Sequence, residues 1–268
     1  MLRNDGKSQS EVVAELTGRE FKLLVLDIET SPNVGYFWGG LFDNNFGLNQ
    51  VTEWGGVICF AAKWYGKSKV HFASDFHDGH ENMVQAAWDL LDEADAVCHF
   101  NGKAFDIKHL NREFLLQGLT PPSPFKDIDL LTAARGNFKF SSNKLQHITE
   151  ALELGSKVEH EGFDLWKKCM AGDTKAWARM KKYNVGDITI TEAVYEQLRP
   201  WIKGHPHVGL WTGDSDNCRT CNSSALGRRG HYRTNTGVYY KFQCKDCGTY
   251  SRSRNRLSDV GTSTRVVT

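Results

Sequence analysis

Two kinds of side chain in this 268-residue chain stand at spacings that suit metal chemistry: paired carboxylates near the N-terminus and paired thiols near the C-terminus. Asp27 and Glu29 close the apolar run FKLLVLDIE (21–29), one residue apart. A strand repeats its side-chain direction every two residues, so both carboxylates leave the same face. Held that close they repel unless a cation lies between them, and hard oxygen ligands suit Mg²⁺ or Mn²⁺. A lone Asp-x-Glu at a strand end is common without any ion, so this pair needs company. Asp106 ends NGKAFD (101–106), just after the apolar run AVCHF, where a carboxylate serves equally well as a helix N-cap. Tyr183 and Asp187 stand four apart in YNVGD (183–187), hence on one face of a helix. Taken singly, that pair also reads as a core tyrosine and a surface acid.

Seven cysteines divide unevenly. Cys59, Cys98 and Cys169 are scattered among apolar neighbours and read as buried thiols. The other four form two C-x₂-C knuckles, Cys218/Cys221 and Cys244/Cys247, separated by 22 residues. Each knuckle aims two thiolates at one point, and two knuckles make the closed tetrahedral site of one structural Zn²⁺. A redox dithiol needs one knuckle, so the second argues for the metal. A Cys₄ site has no open position for catalysis, and the nearby His205, His207 and His231 are not needed as ligands.

The elements that must position these groups are legible in outline. Residues 21–29 read as a buried strand, and 34–39, 55–66 and 69–74 as further strands of a meander. Residues 80–94 and 107–119 have helical periodicity, the second ending at Gly118 before Pro121-Pro122. Residues 96–102 and 128–131 read as short strands, and 143–154 and 173–198 as helices, the last stopped by Pro200. Strands first, then strand alternating with helix, predict an α/β domain with a mixed sheet. Between the knuckles, residues 231–244 read as a β-hairpin, and with them the knuckles resemble a zinc ribbon. The expected organisation is a loose arm over 1–20, a first domain over 21–202, a linker over 203–216, the ribbon over 217–257 and a disordered tail over 258–268.

In order and spacing, LDIET (26–30), NGKAFD (101–106) and YNVGD (183–187) resemble the three exonuclease motifs of the DEDD superfamily. The tyrosine of the third motif is that of the DEDDy branch, and the second motif looks like the proofreading domains of family B DNA polymerases. The resemblance implies a ribonuclease-H-like fold and metal-dependent 3′→5′ exonuclease activity releasing nucleoside monophosphates. In its terms Asp27 would bridge two Mg²⁺ or Mn²⁺ ions about 3.5–4 Å apart. Glu29 and Asp187 would complete the site of the attacking water, Asp106 would help to hold the second ion, and Tyr183 would orient or deprotonate that water. Thr30 becomes a candidate for contacting the terminal nucleotide, Asn101 either holds the second-motif turn or touches the strand, and Phe105 either stacks on a base or belongs to the core. Asp127 and Asp129 match no motif and read as structural.

Bulk properties narrow the partners. Residues 201–268 hold 11 Lys and Arg against four acids, a balance of +7, which leaves 22 basic and 28 acidic residues, a balance of −6, in the rest. Such asymmetry points to nucleic-acid contact by the basic part. Arg228, Arg229, Arg233, Lys241 and Arg252, interleaved with tyrosines, are the candidate contacts, with docking on a replication or repair protein as the alternative. DNA is the expected substrate and RNA the alternative; a binding adaptor without catalysis would have no need of four converging acids. No apolar run approaches the roughly 18 residues of a membrane span and no secretion signal precedes the first strand, so a cytoplasmic location is expected. A free-standing domain of this kind also resembles what bacteriophages or mobile elements encode.

Overall fold

The computed structural model describes residues 17–38, 47–155 and 161–257. Residues 1–16 of the arm expected over 1–20, and the tail expected over 258–268, lie outside the described residues. The chain divides into two compact units, Lys22–Glu196 and Met1–Phe21 with Gln197–Thr268.

The first unit begins with β1 (Leu23–Thr30), followed by a two-residue strand β2 (Val34–Gly35) and β3 (Val51–Glu53). Then come β4 (Val57–Trp64), β5 (Val70–Ser74), α1 (Asp75–Asp78), α2 (His80–Glu93) and β6 (Ala96–His99). It continues with α3 (Asp106–Leu116), β7 (Lys126–Asp129), α4 (Leu130–Asn137), α5 (Leu145–Ala151), α6 (Phe163–Met170) and α7 (Thr174–Leu198). The central sheet has the order β5-β4-β1-β6-β7. β1, β4 and β5 form an antiparallel meander, while β6 and β7 run parallel to β1. The mixed sheet flanked by helices is the architecture read from the sequence.

Alternation along β1 divides the unit. Leu24, Leu26 and Ile28 pack with Met83, Val84, Ala87 and Leu91 of α2 and Leu110 and Phe114 of α3. The opposite face receives α6 and α7, where Ile58 and Cys59 meet Leu165, Cys169, Trp177 and Met180. The three single cysteines are buried, as expected of thiols that behave as small hydrophobes. Asp27 and Glu29 alternate with the apolar residues of β1, on the face toward α7. α7 starts cleanly because Asp173 accepts the N–H groups of Lys175 and Ala176.

Three expectations are corrected. Residues 34–38, the described part of the expected strand 34–39, do not join the meander: among the described residues Val34 and Gly35 pair with β3 in a separate ladder. Tyr36, Phe37 and Trp38 stay exposed, so the aromatic run that suggested a buried strand has no sheet to cover it. Residues 128–131 are not one strand. Asp129 accepts the N–H groups of Leu131 and Thr132, which ends β7 and begins α4 in a single step. Helix α6 has no counterpart in the sequence reading, although Leu165 and Cys169 mark its buried stripe.

The second unit contains a short helix α8 (Gly209–Thr212) and a three-stranded antiparallel sheet. Its strands are β8 (Leu226–Thr234), β9 (Gly237–Cys244) and β10 (Tyr250–Arg252), with β9 central. The hairpin is longer than the 231–244 read from sequence, because β8 continues back past a bulge between Arg228 and His231 to Leu226. Before the knuckles, His205 is buried; its carbonyl accepts from Arg219, whose own carbonyl accepts the N–H of Val208. Among the described residues no helix is long and apolar enough to cross a membrane.

Candidate metal centres

The carboxylates of Asp27, Glu29 and Asp187 each present an oxygen within 4.8 Å of the others. β1 supplies the first two and α7 the third, so the trio exists only because α7 packs on the β1 face that carries the acids. Three carboxylate oxygens converging on one point form a hard, anionic donor set fit for a divalent cation. The hydroxyl of Tyr183, one helical turn before Asp187, hydrogen-bonds that carboxylate. Burial and the charges of Asp187, Glu29 and Asp27 push the phenol well above its ordinary value.

Asp106 stands outside the trio but is tied to it. It is 4% exposed at the first turn of α3, and its Oδ1 accepts the backbone N–H of Ile28, 3.0 Å away, between Asp27 and Glu29. The helix N-cap is Phe105, which makes no side-chain cap, so Asp106 points across to β1 instead of capping its own helix. Burial pushes its carboxyl up to about 6, against the opposing pull of His99 and the Ile28 N–H.

Two supporting residues had escaped notice in the sequence. Asn184, fully buried, donates through Nδ2 to Asp27 Oδ2 at 2.6 Å and fixes that carboxylate from α7. Its signal was a polar residue inside an apolar helical face, next to the conspicuous Tyr183. His99 lies fully buried at the end of β6. Its Nδ1 accepts the N–H of Gly102 at 3.0 Å, which assigns the ring proton to Nε2, 3.3 Å from Asp127 Oδ1. Gly102 must be glycine: a Cβ there would stand 2.4 Å from the His99 ring. Asn101 takes a left-handed φ of 73° and donates its N–H to Asp129 Oδ1. The turn bearing Asp106 is therefore held from below by His99 and Asp129, the structural duty expected for the unclaimed acids Asp127 and Asp129.

Of the remaining candidates in this unit, Thr30 ends β1 at a register shift and is half-buried. Phe105 is exposed, with its ring 4.5 Å from that of His109, so it is not core.

The four knuckle cysteines converge in the second unit. Their sulfurs lie within 4.8 Å of one another, with Cys218–Cys247 at 3.6 Å and Cys221–Cys244 at 3.7 Å. A tetrahedron with Zn–S bonds of about 2.3 Å has edges of about 3.8 Å, whereas a disulfide is about 2.05 Å, so the spacing fits a shared ion. Burial raises the Cys244 thiol, but the N–H groups of Cys247 and Asp246 outweigh it and bring it to about 7. The candidate contacts Arg228, Arg229, Arg233, Lys241 and Arg252 all lie on or beside the ribbon sheet. Arg228 stacks on Tyr240 at 3.9 Å and Arg252 on Tyr239 at 3.8 Å.

Comparison with known proteins bears on the fold. No curated protein matches the chain. Among solved structures, the crystal structure of Trypanosoma brucei RNase D is similar with a TM-score of 0.44 and 14% identity. The match covers 77% of this chain and 65% of that one, so the chain spans less than two thirds of that protein's length. Residues 47–199, which carry Asp106, Tyr183 and Asp187, match the family model of the RNase_H superfamily. That match takes in more than half of the chain and supports a nuclease; the chain belongs to the RNase_H superfamily.

Proposed function

We propose that the protein is a metal-dependent 3′→5′ exonuclease of the DEDDy type that hydrolyses DNA from single-stranded 3′ ends and releases nucleoside monophosphates. The observation that carries this reading is the convergence of Asp27, Glu29 and Asp187, with the Tyr183 hydroxyl on Asp187. Asp27, Glu29 and Asp187 would hold divalent ions, with Asp106 completing the set. Bound Mg²⁺ or Mn²⁺ would supply the positive charge that stabilises the attacking and leaving oxygens of an in-line phosphodiester displacement. Asn184 keeps the Asp27 carboxylate turned toward the centre. The Tyr183 hydroxyl, on Asp187, would orient or deprotonate the attacking water. Exposed Phe105, before the first turn of α3, would offer a face to the terminal base, and Thr30 and Asn101 would be further contacts to the terminal nucleotide. In the second unit the four cysteines would hold one Zn²⁺ as a structural ion.

Degradation of strands labelled at either end, in DNA and in RNA, with Mg²⁺ or Mn²⁺, tests the reading. Stepwise shortening from the 3′ end that disappears in Asp27→Ala supports it. Metal-independent shortening, or equal shortening by Asp27→Ala, overturns it, and faster loss of RNA transfers the activity to that substrate.

A further inference from the structure

The register of the ribbon sheet sorts its charged and aromatic residues onto two faces. Residues directly opposite one another in an antiparallel pair share a face. Tyr239 opposes Tyr232, Lys241 opposes Arg252, and Gln243 opposes Tyr250. These six side chains therefore stand on one face. Arg228 opposes Phe242 and Arg233 opposes Val238, which puts both arginines on the other face with Tyr240 and His231.

The first face is organised. Along β9, alternate positions follow one another at about 6.8 Å. At the hairpin end the Arg256 side chain lies across Gly237, where a Cβ would come 2.3 Å from its Cδ. At the next position Arg252 stacks on Tyr239 at 3.8 Å. Then Lys241 Nζ lies 5.8 Å from the centre of the Tyr250 ring, and last Arg229 Nε donates to Gln243 Oε1 at 3.2 Å. Tyr232 and Tyr250 are 47% and 54% exposed. Cations thus line the row, each held by an aromatic, amide or glycine neighbour, and two open rings flank it. A guanidinium stacked on a ring keeps its edge N–H groups for an acceptor in solution.

We propose that this face, Tyr232, Tyr239, Lys241, Gln243, Tyr250 and Arg252 with Arg229 and Arg256 at its ends, binds an unpaired nucleic-acid strand. Phosphates contact the cations, and bases stack on Tyr232 and Tyr250. The proposal rests on the reading of the protein as a nuclease for its context, but the face is a binding site distinct from the carboxylate centre. Charge selects the occupant: this part of the chain carries a balance of +7, and a row of cations alternating with exposed rings complements a polyanion with π-faces. A duplex hides the base faces that the tyrosines would use.

The test measures binding of a fluorescent 12-nucleotide oligo(dT) to the full-length Asp27→Ala chain with no added Mg²⁺ or Mn²⁺, across a salt series. Bound zinc is quantified in every variant to verify the ribbon. Tyr232→Ala with Tyr250→Ala should weaken binding at least tenfold with little change in salt slope, and Tyr250→Trp should restore part of the affinity. Lys241→Ala with Arg252→Ala should weaken binding at least tenfold and flatten the log–log salt slope by about 1.4, the value for two phosphates on a single strand. Arg228→Ala with Arg233→Ala removes the same charge from the opposite face and should cost less than threefold. Equal losses from both faces overturn the assignment, as does unchanged affinity in the tyrosine pair. Unchanged binding in all variants would leave a protein partner as the ribbon's occupant and also overturns it. None of these outcomes touches the metal-dependent shortening assay, so the two readings fail separately.

Discussion

The carboxylate centre, three converging acids with Asp106 beside them, and the cysteine centre, four converging thiols, are assembled in opposite ways. The cysteine centre is local in sequence and nearly devoid of apolar support: its cluster consists of buried Cys218, Cys244 and Cys247 with half-buried Cys221 and Leu226 beside them. There the ion would do the work of a core. The carboxylate centre draws Asp27, Asp106 and Asp187 from positions 160 residues apart, over a sheet with apolar packing on both faces. That core rests on apolar packing, and the like charges it holds together would resist one another until a cation arrived. One site would use a metal to fold; the other would use folding to make a place for a metal.

Removing each ion tests the contrast most sharply. Stripping zinc with a strong chelator should remove about 10 kcal/mol of binding free energy from the ribbon. Thiol titration should then find four reactive cysteines, with Cys59, Cys98 and Cys169 still protected inside the other unit. Reaction of all seven would show that the ion supports the whole chain and would break the comparison.

The next largest effect is kinetic. Asp187→Asn should slow hydrolysis about a thousandfold, about 4 kcal/mol in the barrier, while the melting temperature without divalent ions holds or rises. An Asn carbonyl still accepts from Tyr183, so a variant that melts earlier would mean that this acid serves the fold.

Protons should mimic the cation more weakly. Asp106 has a folded-state value of about 6 against 3.8 ordinarily, so the folded protein binds that proton more tightly than the unfolded chain. Its stabilising contribution is therefore complete below about pH 4 and is lost as pH rises through 6. The loss is about 1–2 kcal/mol. Denaturation of the divalent-free protein should show that slope, Asp106→Asn should flatten it, and Mg²⁺ should oppose it.

The smallest expected effect is that of orientation. Asn184→Ala leaves every carboxylate in place but releases Asp27, and should weaken Mn²⁺ affinity about tenfold at unchanged zinc content. An affinity equal to wild type would mean that packing of β1 alone aims the carboxylate.

Much of this was legible in residue types and spacing. A period of two puts Asp27 beside Glu29, a helical turn puts Tyr183 beside Asp187, and two knuckles announce four thiols for one ion, because in each case covalent geometry over a few residues decides the direction of the side chain. The order of strands and helices likewise follows from local apolar periodicity. What stayed hidden depends on segments far apart in the chain. Asp129 divides an apolar run into strand and helix through a cap that local hydrophobicity does not register. Asn184 shows in the sequence only as a polar residue on an apolar helical face; that it grips Asp27, and that His99 supports the turn of Asp106, depends on segments brought together by folding. Likewise, strand register alone separates Lys241 and Arg252 from Arg228 and Arg233. A one-residue slip would exchange the two faces, and that choice is made by pairing across the sheet, where only the folded chain brings the partners together.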